Sequence, residues 1–321
     1  MKPPIPESVI SWLLQDSNPS VKVRTLTELL GRDETCLEAI QAKERIASSK
    51  TVCKVLAPIR PDGEWPRLGP SAISPEMGFS YLGELGLDKT HPLVQAAVEV
   101  FLSSQYEDGS FLDSYSTREV YYNPRPNDMS CYYALTIRGL LRLGYQDDPR
   151  VRKAIDYCLA QSRHDGGYLC TKSYLKKTTK SCIRGSKNVL LLFSELPEVW
   201  HTPQCQRLVA YFLERKVFFK RSDPAQFVTG KPGTLFPFDY RLGLLEPLYA
   251  LSKMGYGSHP ALVDGWLLLG QKCDELGKYI LDWKSPKCAF NPGRKGEANP
   301  WVTLYAYLAL KYRDEALPAG Q

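Results

Sequence analysis

A periodicity constrains this chain more than any other feature it carries. The segment HPLVQAAVEVFLSSQYEDGSF at 91–111 aligns with DPRVRKAIDYCLAQSRHDGGY at 148–168: a polar residue, Pro, a Val, an apolar helical stripe, Gln and then Asp-Gly. Further copies open at Thr202 and His259. The prolines of the four copies, Pro92, Pro149, Pro203 and Pro260, stand 57, 54 and 57 residues apart. Repetition on this scale marks supersecondary units that stack on their neighbours. Each copy reads as a helix, with Pro at the first helical position where its missing N–H costs nothing, and apolar residues at i, i+3, i+4 and i+7.

A second helix follows each first one. The second members begin near Asn18-Pro19, Ser74-Pro75, Asn127-Asp128, Ser181, Asp239 and Asn299-Pro300, at steps of about 56 residues, and several end on a glycine: Gly31, Gly86, Gly144 and Gly255. First members cover 6–15, 35–48, 91–105, 148–162, 203–217 and 260–273. The second members are apolar and aromatic all round, as in CYYALTIRGLLRLG and WVTLYAYLALKY, which suits helices covered on both sides. The first members carry charge on one face and belong outside. The expectation is therefore an all-α chain of six helical hairpins, closing as an α/α toroid (an α6/α6 barrel) of six inner and six outer helices. No Pro/Gly/Ser linker marks a boundary, so residues 1–321 read as one domain. An open superhelical solenoid is the competing arrangement, because helix pairs stack either way. The stretches 49–72 and 106–126 read as long connections over the cavity mouth.

Composition trims the functional possibilities. The apolar runs fall far short of the roughly 18 residues a membrane span requires, so no integral membrane segment is expected. The opening MKPPIPES lacks the apolar stretch of a leader, and the expected location is cytoplasmic. A net charge of +6, spread without long Lys/Arg blocks, argues against nucleic acid as a partner. Nine cysteines, an odd number, argue in a reducing compartment for packing, metal binding or reactive thiols rather than a disulfide framework. The chain holds no GxGxxG, GxxxxGK[ST], HExxH or GxSxG, which disfavours nucleotide-dependent and serine-hydrolase chemistry.

Three cysteines share an address. Cys131 and Cys182 fall in the first turns of the third and fourth second-member helices, and Cys170 lies in the turn leading to the fourth. In a closed toroid these helix starts face one rim, where the partial positive charge of a helix N-terminus favours thiolate. Three thiolates with Asp128, or with an open position, suit zinc. Cys36, Cys53, Cys158, Cys205, Cys273 and Cys288 read as small hydrophobes. Between Cys170 and Asn188 the basic run TKSYLKKTTKSCIRGSKN brings Lys176, Lys177 and Arg184 into a helix N-terminus, an arrangement that suits a diphosphate or carboxylate. Aromatic residues gather at the same helix starts, among them Tyr132, Tyr240 and Trp301. Asp239, in FPFDYRLGLL, is a second acid at such a start and also fits an N-cap.

The turn segments FLSSQYEDGSF and CLAQSRHDGGY resemble the Gln-Asp-Gly repeats of the squalene cyclase and protein prenyltransferase superfamily. The likeness covers nearly the whole chain at the level of the repeat. SCYYALTIRGLLRLGYQDDPRVRKAIDYCLAQSRHDGGYLC followed by SCIRGSKNVLLLFSELPE looks, more narrowly, like stand-alone bacterial and archaeal repeat proteins of that superfamily. The resemblance implies a closed α/α toroid with a central site, aromatic walls, and a small hydrophobic or isoprenoid ligand, with Asp128 and Asp239 as candidate catalytic acids and transferase or cyclase-like activity. Two family features are missing. No DxDD segment is present, and Asp128 and Cys131, one turn apart, have no histidine in a second-member helix to complete a prenyltransferase-type zinc site. The alternatives are a non-catalytic binding or scaffold protein for a peptide or hydrophobic metabolite, and a thiol-based redox role requiring two of the three cysteines within bonding reach.

Overall fold

The computed structural model describes residues 5–15, 17–66, 74–111, 133–169, 180–239, 241–284, 288 and 290–315. Thirteen α-helices are described, and the one named sheet has two strands. The fold is all-α in character.

The leading helix of each hairpin is found where the repeat places it: α1 (Glu7–Leu13), α3 (Leu37–Glu44), α6 (Pro92–Leu102), α8 (Pro149–Ala160), α10 (Pro203–Leu213) and α12 (Val263–Gly270), the last preceded by a 3-10 turn at Pro260–Leu262. The following helices are α2 (Pro19–Arg24, continued as a wider turn through Leu29), α5 (Pro75–Glu84), α7 (Tyr133–Arg142), α9 (Ile183–Phe193), α11 (Leu245–Leu251, continued through Tyr256) and α13 (Pro300–Asp314). Capping chemistry explains the starts. The side chains of Asn18, Ser74 and Asn299 accept the amides of Val21, Met77 and Val302, each with a proline in the first turn. Gly31, Gly86, Gly144 and Gly255 all take positive φ, +67° to +93°, which a side chain would resist. The two helix series differ in burial as their sequences require. α9 buries every residue but Arg184, whereas α1 buries only Val9 and Leu13.

Two elements depart from the sequence expectation. The stretch read as a connection at 49–72 contains α4 (Lys50–Leu56), capped by the Ser49 hydroxyl, which accepts the Val52 amide. After α10 the chain forms a small antiparallel hairpin, β1 (Phe219–Lys220) and β2 (Asp223–Phe227), with the rings of Phe219 and Phe227 stacked at 4.8 Å. Strands this short leave too little alternation to be read in advance.

Four glycine turns repeat one geometry, three of them with Asp-Gly and the fourth with Leu276-Gly277. In the turns at 60–64, 106–110, 163–167 and 274–278 the first amide donates to the carbonyl four residues on, and the glycine amide donates back to the first carbonyl. Gly63, Gly109, Gly166 and Gly277 occupy the same place in these turns with φ of +82° to +92°. The glycine is needed for space as well as for φ. A Cβ on Gly63, Gly109 or Gly166 would lie 2.3, 2.5 or 2.4 Å from the carbonyl oxygen of Ala96, Lys153 or Arg207. Those three residues each stand four positions after the proline of the next leading helix. Within the segment 47–208, three successive turns are thereby each seated on the leading helix that follows. The last such turn sits against the first helix of the chain: a Cβ on Gly277 would lie 3.0 Å from the Pro6 Cγ and 3.3 Å from the Val9 Cγ2.

Backbone contacts divide the chain into two units, neither continuous in sequence. One comprises Met1–Ile46, Val209–Pro286 and Asn291–Gln321; the other comprises Ala47–Leu208 and Lys287–Phe290. In the second unit α5 and α7 pack along each other, and α9 packs on α7. The α5/α7 crossing is backbone to backbone: a Cβ on Gly139 would lie 2.5 Å from the Phe79 carbonyl oxygen, and one on Gly83 2.6 Å from that of Gly139. A row of rings, Trp65, Phe79, Phe101, Phe111, Tyr133 and Tyr157, fills the space between helix series with centroid separations of 4.5–5.9 Å. In the first unit α13 packs against α11, α2 and α1.

Candidate functional site

Of the eleven residues singled out in the sequence, Asp128, Cys131, Tyr132, Cys170, Lys176, Lys177 and Tyr240 lie outside the described residues. Cys182 and Arg184 are described in the second unit, Asp239 and Trp301 in the first.

Cys182 is placed by the Asp-Gly turn that precedes it. The Asp165 carboxylate accepts the Gly167 amide at 3.2 Å, the Ser181 amide at 3.1 Å and the Ser181 hydroxyl. Burial raises the Asp165 carboxyl, but these bonds and the nearby His164 outweigh it, and the net position is below the usual carboxylate range. One step along, the Cys182 amide donates to the Tyr168 carbonyl at 2.7 Å, while the Tyr168 amide donates to the Ser186 hydroxyl at 2.9 Å. Cys182 is thus pinned through its backbone as the N-cap of α9, and its side chain makes no capping bond. The residue has intermediate exposure at the start of α9.

Behind this cap, Arg184, Lys187 and Asn188 stand at i, i+3 and i+4 and so share one face of α9. Arg184 is half-buried, while Lys187 and Asn188 have 0% exposure. Of the basic run, Lys180, Arg184 and Lys187 are among the described residues, and Lys187 is the one of these that is fully buried. A buried ammonium is costly without compensating charge or hydrogen bonds. Glu76, in the first turn of α5 at 5% exposure, is a buried acid that sequence reading passed over.

The two described residues of the other unit have different surroundings. Asp239 is buried, but it is not at a helix start: its Oδ1 accepts the Arg241 amide at 2.7 Å, closing a turn before α11 begins at Leu245. Glu246, buried in the first turn of α11, is the acid at that helix start. Trp301, second residue of α13, stacks on Phe236 at 4.3 Å and 8° between planes. The Arg24 guanidinium lies 4.6 Å from the Tyr305 ring and donates to its hydroxyl at 2.8 Å. Here Trp301 is a packed ring.

Among the other cysteines, Cys158 and Cys205 are fully buried, with burial raising the first thiol strongly and pushing the second up to about 12. They are the small hydrophobes the sequence suggests. Cys53 is exposed; Cys36, Cys273 and Cys288 are intermediate. Among the described residues no group of three or more His, Cys, Asp or Glu side chains is arranged to hold a metal, a statement that does not reach Cys131 and Cys170. No described helix is long and apolar enough to cross a membrane. An open depression of about 450 Å3 is lined by Asp108, Lys153, Asp156, Tyr157, Ala160 and Gln161.

Compared with known proteins, the chain matches no protein-family model and no curated sequence.

Proposed function

We propose that the six hairpins close into an α/α toroid of the squalene cyclase and protein prenyltransferase type, whose interior takes an apolar, isoprenoid or prenyl-diphosphate ligand. The observation carrying this reading is the recurring seat of each Asp-Gly turn on the next leading helix, together with the seating of the 274–278 turn on α1. A chain whose last repeat packs on its first has the connectivity of a ring. Following helices such as α5, α9 and α11, buried on nearly every residue, fit an inner wall.

In this reading Cys131, Cys170 and Cys182 bind zinc at one rim, with Asp128 beside them. Zinc bound there polarises a ligand oxygen or holds a thiolate. The partly exposed, backbone-pinned Cys182 has the chemistry of such a donor. Lys176, Lys177 and Arg184 receive an anionic head group such as diphosphate at the start of α9, and Lys187 supplies positive charge behind them. Asp239 stands as a second acid, and Tyr132 and Tyr240 as aromatic wall, with Trp301 packed on Phe236. The activity this supports is that of a transferase acting on a prenyl diphosphate.

The test combines metal content with ligand binding. Chelator-free protein is expected to carry about one zinc per chain, lost in a Cys131→Ala/Cys182→Ala variant and measured by elemental analysis. Farnesyl diphosphate is expected to bind more tightly than farnesol, with the difference reduced in Arg184→Gln. Absence of zinc together with equal binding of the two ligands refutes the enzymatic reading.

A non-catalytic binding or scaffold role draws on one observation. Trp301, Phe236, Phe238 and Tyr305 are engaged with one another and with Arg24, as in a packed core. Under that role apolar or peptide ligands bind without zinc and without turnover.

A further inference from the structure

Leading helices α3, α6, α8, α10 and α12 are each tied by a polar side-chain bond to a residue outside the helix. These bonds are Glu38 to Arg32 at 2.6 Å, Glu99 to Arg150 at 2.8 Å, Arg152 to Glu198 at 2.5 Å, Arg207 to Ser162 at 3.3 Å, and Asp264 to Lys216 at 3.2 Å. Helix α1 is different. Among the described residues no hydrogen bond or ion pair joins Glu7–Leu13 to another element. It is held by two fully buried side chains, Val9 and Leu13, by Pro6 and Val9 against Gly277, and by Trp12 beneath the Lys278 ammonium at 4.6 Å. It has seven residues and no side-chain cap at Pro6, a length at which a helix has little stability of its own.

The seat beneath it is firmly built. The Asp274 carboxylate accepts the amides of Leu276 at 2.9 Å and Lys278 at 2.8 Å, and the Tyr307 hydroxyl of α13 donates to the Gly277 carbonyl at 2.9 Å. The turn glycines Gly63, Gly109 and Gly166 abut a backbone carbonyl, whereas Gly277 faces α1 across side-chain atoms. A rigid seat carrying a weakly tied helix has the ingredients of a sub-global opening.

We infer that α1 is a releasable latch, which leaves the Gly277 turn and α13 in an opening separate from the unfolding of its unit. Release uncovers the face of the Gly277 turn that Pro6 and Val9 cover. If the ring reading above holds, the same movement opens the contact between last and first repeats and makes a gate for the ligand; that consequence rests on the ring reading, and the latch does not.

Hydrogen–deuterium exchange of the full chain, read by mass spectrometry on peptides covering 5–15 and 300–314, tests it. Amides of α1 are expected to exchange on the order of 100-fold faster than those of α13, at a rate insensitive to urea below the unfolding transition. Trp12→Ala is expected to raise α1 exchange about threefold to tenfold while leaving α13 unchanged. Ser11→Ala, on the exposed side of α1, is expected to slow α1 exchange about twofold through helix propensity alone. Equal protection of the two helices with a common urea slope overturns the latch, as does a Trp12→Ala effect that speeds both alike. Ring closure is read separately from small-angle scattering, where an elongated profile refutes the ring and leaves the exchange result standing.

Discussion

The two units bury an arginine between following helices and solve the problem differently. In the second unit Arg138 of α7, 1% exposed, bonds Glu84 of α5 at 2.5 Å and Glu195 beyond α9 at 3.0 Å, and Arg142 meets the same two carboxylates. Two guanidiniums and two carboxylates join three hairpins. In the first unit Arg24 pairs with Glu28 one turn along its own helix, and reaches its neighbour α13 through the hydroxyl and ring of Tyr305. One solution spends carboxylates across helices, and the other uses aromatic rings. The charges of the first are deep and mutually dependent, whereas Glu28 keeps a side-chain exposure of 28% and water with it. Removing the two arginines therefore leaves unequal consequences behind.

Arg138→Met is the larger break. It takes one guanidinium away from the Glu84 and Glu195 carboxylates, and loss of one partner from a buried ion network costs about 3–5 kcal/mol. Urea denaturation followed by circular dichroism measures it. Adding Glu84→Leu is expected to recover a substantial part, because the penalty lies in the orphaned charge. A loss under about 1 kcal/mol for Arg138→Met means that the carboxylates find water and that the contrast between units is false.

Arg24→Met is expected to cost about 2 kcal/mol, the scale of a charge-assisted hydrogen bond with some lost packing, since the partly exposed Glu28 carries a smaller penalty of its own. Tyr305→Phe isolates the hydroxyl and is expected to cost about 1 kcal/mol by the same denaturation measurement. Equal losses for Arg24→Met and Arg138→Met mean that the rings of the first unit do as much as the charges of the second.

The pairing in the second unit was readable in principle and was missed for a definite reason. Glu84 and Arg138 stand 54 positions apart, and Arg138 and Glu195 57 apart, the same offset as the prolines. Opposite charges at one-repeat separation on apolar helices are the signal. It is invisible to a reading that weighs charges within single segments. Helix starts and glycine stops were legible because capping is local: the prolines of the repeat open helical turns and Gly31, Gly86, Gly144 and Gly255 are left-handed. The start of α11 was misplaced because Asp239 caps a turn with the same side-chain chemistry that caps helices. Lys187 was read as one more solvated lysine of a basic run, because nothing in the run itself marks the one that the packing of α9 buries.

Asp165 offers a third way of holding a charge, by neutral donors, and gives the smallest and most specific prediction. Its carboxyl is held below the usual range despite the opposing effect of burial. A carboxyl depressed in the folded chain contributes stability that is present above its unfolded value, about 3.9, and is lost as pH falls through the lower folded value. Asp165→Asn is expected to cost under about 1 kcal/mol at pH 7, since solvent reaches the group and the amide oxygen still accepts a bond. It is also expected to flatten the acid limb of stability below about pH 4, because Asn does not titrate there. Urea midpoints at pH 7, 5 and 3.5 measure both effects. Parallel wild-type and variant profiles mean that the Ser181 and Gly167 bonds do not depress the carboxyl, and the link that pins Cys182 at the start of α9 then carries no charge-dependent strength.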